Sequence, residues 1–245
     1  MKGKIRFFAV LWLLAGTGYT QSADSVRVSI HFLLEGPYQG GSTMSTALKD
    51  QDFIPSDSPY DEAPKHVAQI PENSVDWVLV ELRTSPLDTS VAFESFLLCS
   101  EGSVTDSSGS GDLVIMNVQP GNYFIVIRHR NHLSVMSGEP AALNDTVAVA
   151  LDFTSGSGQY YGAMACKEVE TGVWAGVVGD VNGSGIISYS DREGFSMINA
   201  FGYLMEDLNM SGIVTYADKE LIDRNLNRAA PCYVDEQGVI RIKKQ

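Results

Sequence analysis

A pattern of twelve residues occurs twice towards the C-terminal end of this 245-residue chain, and it constrains the fold more than any other feature. One copy runs from Asp180 to Asp191, and the other, which starts 27 residues later, runs from Asp207 to Asp218. Both copies have Asp at position 1, Asn at 3, Ser at 5, Gly at 6, Ile at 7, a hydroxyl residue at 9, Tyr at 10 and Asp at 12. Recurrence at a fixed period indicates two copies of one structural unit.

The repeated positions carry the oxygen atoms that a calcium ion needs. Calcium takes about six to eight oxygen ligands, which a loop of this length supplies from side chains, one backbone carbonyl and water. Glycine at position 6 makes the sharp turn within the loop. A single Asp-x-Asn-x-Ser-Gly segment is also typical of a plain turn. Two copies in register, each closed by an Asp at position 12, favour two calcium sites.

Each loop is expected to lead into a short helix, because apolar residues recur at helical spacing after it. These residues are Phe195, Ile198 and Phe201 after the first loop, and the pairs Ala217–Leu221 and Ile222–Leu226 after the second. Helices of this length are unstable alone, so we expect the two to pack on each other.

Residues 179–230 resemble the type I dockerin family, which has two such loop-helix repeats with Asp at position 12. The resemblance implies two bound calcium ions. Their ligands would be Asp180, Asn182, Ser184, the carbonyl of Ile186, Ser188 through water and Asp191, and then Asp207, Asn209, Ser211, the carbonyl of Ile213, Thr215 through water and Asp218. Ser stands at position 5 where the family usually has Asp, so each site has two formal negative charges and is predicted to bind weakly.

In dockerins, positions 10 and 11 of each loop help to choose the cohesin partner. These positions hold Tyr189-Ser190 and Tyr216-Ala217, where the family usually has small hydroxyl residues. The tyrosines depart from that pattern, which weakens the prediction of cohesin recognition, and the alternative is that they pack against the rest of the protein.

The region before the repeats is predicted to be an antiparallel β-sandwich, because short apolar segments alternate with Gly, Ser, Pro and Asp-rich turns. Six strands are predicted, over residues 26–32, 77–82, 93–99, 113–118, 123–128 and 146–153. Residues 35–71 are rich in Gly and Pro and are expected to form a long irregular excursion. The fold class is therefore mainly β with a small α module: a sandwich followed by two calcium-loop-helix repeats.

The N-terminus has the layout of a secretory signal peptide, with Lys2, Lys4 and Arg6 before an apolar run at residues 7–15. A buried N-terminal helix is the alternative. We predict a signal peptide at 1–22, a sandwich at 23–175, the calcium module at 176–231 and a strand or loose tail at 232–245. After cleavage, no segment is apolar enough to span a membrane. The net charge of −13 disfavours binding to nucleic acid.

Other candidate residues give weaker signals. Cys99 is expected in the core, and a Cys166–Cys232 bridge is an open possibility. His129 and His132 are more typical of a polar turn than of a metal site. Asp76 directly precedes the second predicted strand, and Glu81 lies near its end. Such a carboxylate pair could serve glycoside hydrolysis, but nothing in the spacing requires it. Residues 32–38, 76–83 and 128–133 resemble a segment found in secreted bacterial proteins of unassigned function, often just ahead of a dockerin-like repeat.

These features predict a secreted or cell-surface bacterial calcium-binding protein without catalytic activity. Its partner would be a cohesin-like or cell-surface protein, or a polysaccharide contacted by the sandwich. The alternative is a subunit of a polysaccharide-degrading, glycoside hydrolase system tethered through the module. A third possibility is a purely structural calcium module that locks its helices onto the sandwich.

Overall fold

Strands dominate the computed structural model of the chain, which describes residues 24–193, 195, 198–234 and 240–242. The predicted signal peptide at 1–22 lies outside the described residues. In chain order the strands are β1 (Ser25–His31), β2 (Tyr38–Gly40), β3 (Thr43–Met44), β4 (Ser74–Arg83), β5 (Ala92–Cys99), β6 (Val104–Thr105), β7 (Leu113–Met116), β8 (Gly121–His129), β9 (His132–Met136), β10 (Ala141–Leu143), β11 (Val149–Asp152), β12 (Cys166–Glu170), β13 (Val173–Gly176), β14 (Cys232–Val234) and β15 (Ile240–Ile242). The helices are α1 (Ala47–Asp50), α2 (Ser190–Glu193) and α3 (Tyr216–Asn225), with a 3-10 turn at Ser157–Gln159.

Two sheets face each other across the core, which confirms the predicted mainly-β class. One has the strand order β11-β1-β7, and the other has the order β10-β8-β4-β5-β6, with β9 paired to β8. Each of the six predicted strands overlaps an observed one. The structure departs from the predicted antiparallel pairing at one place, because β1 and β11 run parallel.

The sequence pattern of the strands explains where they lie. In β1 buried and half-exposed residues alternate, with Val26, Val28 and Ile30 pointing into the core. The central strand β4 is instead buried over Ser74–Leu82. Its outer side is covered by the excursion at 35–71, where Pro55 accepts a hydrogen bond from the Trp77 indole at 2.8 Å. The excursion therefore closes the core.

The predicted helix after the second loop is confirmed as α3, but the one after the first loop is wrong at Phe195 and at residues 198–201, which are described and are not helical. There the helix is the single turn α2, Ile198 lies in a turn, and Phe201 is exposed and bridges to Ile213. The backbone instead pairs with the second loop, since the amide of Asn199 donates to the Val214 carbonyl at 2.8 Å. A left-handed φ of 70° at Asn199 also interrupts any helix. The two helices contact each other, as predicted, through an ion pair between Arg192 and Asp223 at 3.1 Å.

The C-terminal module and the sandwich share one hydrophobic core. Its members from the module include Val177, Val178, Ile187, Leu208, Met210, Val214 and Ile222. The boundary at 175–176 falls at the end of β13 and stays a prediction. The alternative left open for 232–245 is resolved over residues 232–234 and 240–242, which form the antiparallel pair β14–β15. Among the described residues, no helix has the length and apolar character to cross a membrane.

Candidate metal-binding loops

The carboxylate at position 1 holds the turn of each loop. In the first loop Asp180 is buried, and its Oδ2 accepts the Gly185 amide at 3.0 Å. In the second loop Asp207 is buried and its Oδ2 accepts the Gly212 amide at 2.7 Å. Glycine fits position 6 for a conformational reason, since φ is 76° at Gly185 and 85° at Gly212. The two loops therefore turn in the same way.

The carboxylate at position 12 closes each loop from the start of its helix. Asp191 accepts the amides of Asn182 at 3.2 Å and Ser188 at 2.8 Å. Asp218 makes the equivalent contacts with the amides at positions 3 and 9 of the second loop, at 3.1 and 2.8 Å. It also completes a capping box with Thr215 at the N-terminus of α3. Loop closure and helix capping are thus performed by the same side chain.

The remaining oxygens of each loop take part in hydrogen bonds within the loop. The side-chain oxygens of Asn182 and Asn209 accept the amides of Ser184 and Ser211, at 2.9 and 3.0 Å. Each serine hydroxyl lies 3.1 Å from the carbonyl oxygen of position 7, Ile186 or Ile213. At position 9, Ser188 and Thr215 donate their hydroxyls to the carboxylate at position 12, at 3.3 and 2.9 Å. The structure thus joins all twelve sequence-predicted residues into two matching oxygen-rich loops.

The first loop contains an acidic oxygen without a protein partner. The Oδ1 atom of Asp180 is buried and accepts no hydrogen bond. Burial, together with the nearby Asp191 carboxylate, raises the pKa of Asp180 to about 6. Burial and Asp218 likewise raise the pKa of Asp207 to about 6. A cation between the carboxylates would offset both the burial and the repulsion.

The donor set of the loops consists of oxygen atoms. Among the residues that the structure describes, no group of three or more His, Cys, Asp or Glu side chains is arranged to hold a metal ion. This is compatible with the loop pattern, because each loop has only two carboxylates and completes its set with Asn, hydroxyl and carbonyl oxygens. Such a set suits a hard cation such as calcium and lacks the nitrogen and sulfur ligands typical of zinc.

The tyrosines at position 10 point to solvent. Tyr189 is 68% exposed and Tyr216 is 70% exposed. The interpretation in which they pack against the rest of the protein is therefore wrong. Two large aromatic side chains occupy equivalent places on the two repeats and are free to contact another molecule.

The sandwich holds the module through a polar network that the sequence did not reveal. Arg130, at the turn between β8 and β9, donates from Nε to Asp76 at 2.8 Å and from Nη1 to the Leu204 carbonyl. Its guanidinium also stacks over the Tyr203 ring at 4.3 Å, and the Tyr203 hydroxyl donates to Asp76 at 2.6 Å. A second contact joins Glu35 to Asn225 of α3 at 2.7 Å. The module is thus anchored to the sandwich at two places, between its two loops and at the end of α3.

His129 and His132 belong to the same network and form a polar turn, as the sequence predicts. The partners fix one consistent chain of hydrogen bonds. The Gly36 amide donates to His132 Nε2 at 3.2 Å, His132 Nδ1 lies 3.0 Å from His129 Nδ1, and His129 Nε2 lies 3.1 Å from Asp76. Burial lowers the pKa of both rings, which favours their neutral forms. The ring nitrogens thus link the Gly36 amide to the Asp76 carboxylate.

Asp76 and Glu81, the weak candidates for glycoside hydrolysis, are both buried in ion pairs. Glu81 accepts from Arg83 at 3.1 Å and from Arg128 at 2.9 Å. Asp76 is occupied by Arg130, His129 and Tyr203, as above. These contacts argue against this pair as a hydrolytic acid and nucleophile.

Cysteine chemistry adds no site. Cys99 and Cys166 are buried free thiols, and the side chain of Cys232, the other half of the possible bridge, lies outside the described residues. Burial raises the pKa of the Cys166 thiol to about 11, which keeps it protonated and unreactive.

No protein-family model matches the chain, and no curated protein matches it in sequence. Two solved structures that match are interface mutants of a type II Cohesin-X-Dockerin complex from Acetivibrio cellulolyticus. A chain of the C-terminal interface mutant is 16% identical, with a TM-score of 0.38 over 62% of this chain and 82% of that chain. A chain of the N-terminal interface mutant is 13% identical, with a TM-score of 0.40 over 84% of this chain and 97% of that chain. A likeness this distant carries no argument about function.

Proposed function

We propose that this protein is an exported calcium-binding protein that takes one ion in each of its two loops. The repeated geometry at positions 1, 3, 5, 7, 9 and 12 is the observation that carries the proposal. The buried, unpartnered Oδ1 of Asp180 supports it further, because an uncompensated buried carboxylate oxygen is costly and a cation would offset that cost. With two carboxylates in each loop, the affinity should be modest, which suits the abundant calcium outside cells.

We further propose that the module docks a protein partner of the cohesin type. The resemblance of residues 179–230 to dockerins supports this, and so does the exposure of Tyr189 and Tyr216 at the two equivalent recognition positions. Aromatic side chains of this size are common anchors at protein interfaces. Docking through the module would leave the sandwich free to contact a second protein or a glycan.

Calorimetric titration of EDTA-stripped protein with calcium tests the first part of the proposal. We expect two ions per chain in the full-length mature protein. Asp180→Asn and Asp207→Asn should each remove uptake at one loop, since each neutralises the carboxylate at position 1. Asp61→Asn, a change of an exposed acid outside both loops, is the matched control and should leave uptake at two ions. The absence of calcium uptake in the unmodified protein would refute the proposal.

Binding measurements with immobilised cohesin domains test the second part. We expect calcium-dependent capture that falls when Tyr189→Ala and Tyr216→Ala are combined. The double variant should still bind two calcium ions, because neither side chain supplies a ligand atom. Capture by polysaccharide alone, unaffected by either tyrosine, would instead favour the sandwich as the binding part and contradict docking through the module.

A further inference from the structure

The turn between β8 and β9 lies against the first residues of both calcium loops. Asn131, at the tip of this turn, is fully buried. Its carbonyl oxygen accepts the amide of Gly179, the residue just before Asp180, at 2.9 Å. Its side-chain Nδ2 donates to the carbonyl of Asp207 at 3.1 Å and to that of Met205 at 3.1 Å. One residue of the sandwich thus touches the chain at position 1 of the second loop and directly before position 1 of the first.

We propose that Asn131, which lies outside both repeats, is a positioning residue that couples the two calcium sites to each other and to the sandwich. This inference rests on the proposed calcium binding. It adds that the two ions bind cooperatively and that their binding further restricts the motion of the β8–β9 turn.

The β8–β9 turn is bonded to the start of both loops, so a shift in one loop is transmitted through the turn to the other. The Oδ1 of Asn131 lies 2.9 Å from His132 Nδ1, so both ends of its side-chain amide are engaged. The neighbouring Arg130 is paired with Asp76 inside the sheet. Moving Asn131 would therefore break its contacts with His132 in the turn and with the carbonyls of Met205 and Asp207 at the start of the second loop.

Coupling follows from where these contacts end. The carboxylate at position 1 holds the glycine turn of each loop, so a shift of Gly179 or Asp207 changes the ligand geometry directly. An ion in one loop fixes its position 1 and so further restricts Asn131, which also contacts the start of the other loop. The second loop then orders at a lower entropic cost, which gives positive cooperativity. By reciprocity, an intact turn strengthens calcium binding.

The variant Asn131→Ala tests the proposal in the full-length mature protein, with Asn122→Ala as the matched control. Asn122 is an exposed residue of the same strand pair, on β8. We expect the control to bind calcium cooperatively like the unmodified protein. Asn131→Ala should bind with independent sites and an affinity weakened by about fivefold or more. Identical cooperative isotherms for both variants would overturn the proposal.

Hydrogen–deuterium exchange on the unmodified protein tests the same idea without any substitution. We expect calcium to slow exchange of backbone amides at residues 125–136 as well as within the loops. Protection confined to residues 180–191 and 207–218, with calcium bound, would overturn the coupling while leaving calcium binding intact. Absence of calcium uptake in the titration would instead refute the proposed function itself.

Discussion

The buried ion pair between Asp76 and Arg130 offers the sharpest test of how the sandwich and the module are joined. The Asp76 carboxylate accepts four hydrogen bonds: from the Trp77 amide at 2.7 Å, Tyr203 at 2.6 Å, His129 at 3.1 Å and Arg130 at 2.8 Å. The substitution Asp76→Asn keeps the shape of the side chain. It removes the charge facing Arg130 and replaces one accepting oxygen with a donor.

The expected loss of stability is large because the site is dry. Both side chains are buried, with 0% exposure for Asp76 and 3% for Arg130. Removing one partner of such a pair leaves the other charge uncompensated, which typically costs about 3–5 kcal/mol. The same substitution in an exposed pair provides the control. Asp112 pairs with Arg27 at 2.6 Å but is 48% exposed, so Asp112→Asn should cost less than about 1 kcal/mol.

Urea denaturation at fixed calcium and neutral pH measures both changes in the free energy of unfolding. We expect Asp76→Asn to shift the midpoint to clearly lower urea, while Asp112→Asn stays near the unmodified protein. The difference between the two variants should be at least about 2 kcal/mol. A difference below about 1 kcal/mol would refute the argument that this network holds the module on the sandwich.

Three further expectations follow from the structure. Burial opposes ionisation of Asp76, but the charge of Arg130 and the hydrogen bond from His129 outweigh it, so the pKa of Asp76 lies well below its usual value. The stabilising contribution of the ionised carboxylate is therefore complete above about pH 4 and declines as the pH falls below that. In urea titrations at low pH, the difference in unfolding free energy between the unmodified protein and Asp76→Asn should shrink. A Cβ atom at Gly36 would lie 1.9 Å from the Leu208 carbonyl oxygen, so Gly36→Ala should lower the melting temperature and weaken calcium binding in calorimetry, whereas Gly111→Ala, whose Cβ would be 3.9 Å from its nearest atom, should do neither. Calcium at one hundred times the dissociation constant should raise the free energy of unfolding by about 2.7 kcal/mol per site in urea titrations, and no rise would contradict selective binding to the folded protein.

Local patterns predicted the parts of this fold that depend on neighbouring residues. The alternation at Val26, Val28 and Ile30 fixes which side of β1 faces the core. The spacing of Asp180 and Asp191 likewise predicts a closed loop, since both carboxylates bond to amides within twelve residues. The parallel pairing of β1 with β11 was beyond such reasoning. It joins Val28 to Val149 across about half of the chain, and no residue type signals it.

The contacts between the sandwich and the module were hidden for the same reason. Asp76 and Tyr203 are 127 positions apart, and each looks ordinary in its own segment. The run of polar residues at 128–132 predicts a polar turn, and nothing in it indicates the contacts with residues 203–207. The wrong helix after residue 193 shows the opposite error: apolar residues at helical spacing were overridden by pairing with the second loop.

The effect of the serine at position 5 on calcium affinity depends on how the loop is held in the folded chain. Alone, the loss of a third carboxylate predicts a weak site. In the folded chain, however, the carboxylates at positions 1 and 12 already hold the loop amides, and Asn131 fixes the chain at the start of both loops. A loop whose start is already fixed loses less conformational entropy when an ion orders the rest of it. We therefore expect preorganisation by the sandwich to recover part of the affinity that the missing charges remove, so that the calcium affinity belongs to the whole protein and not to the repeats alone.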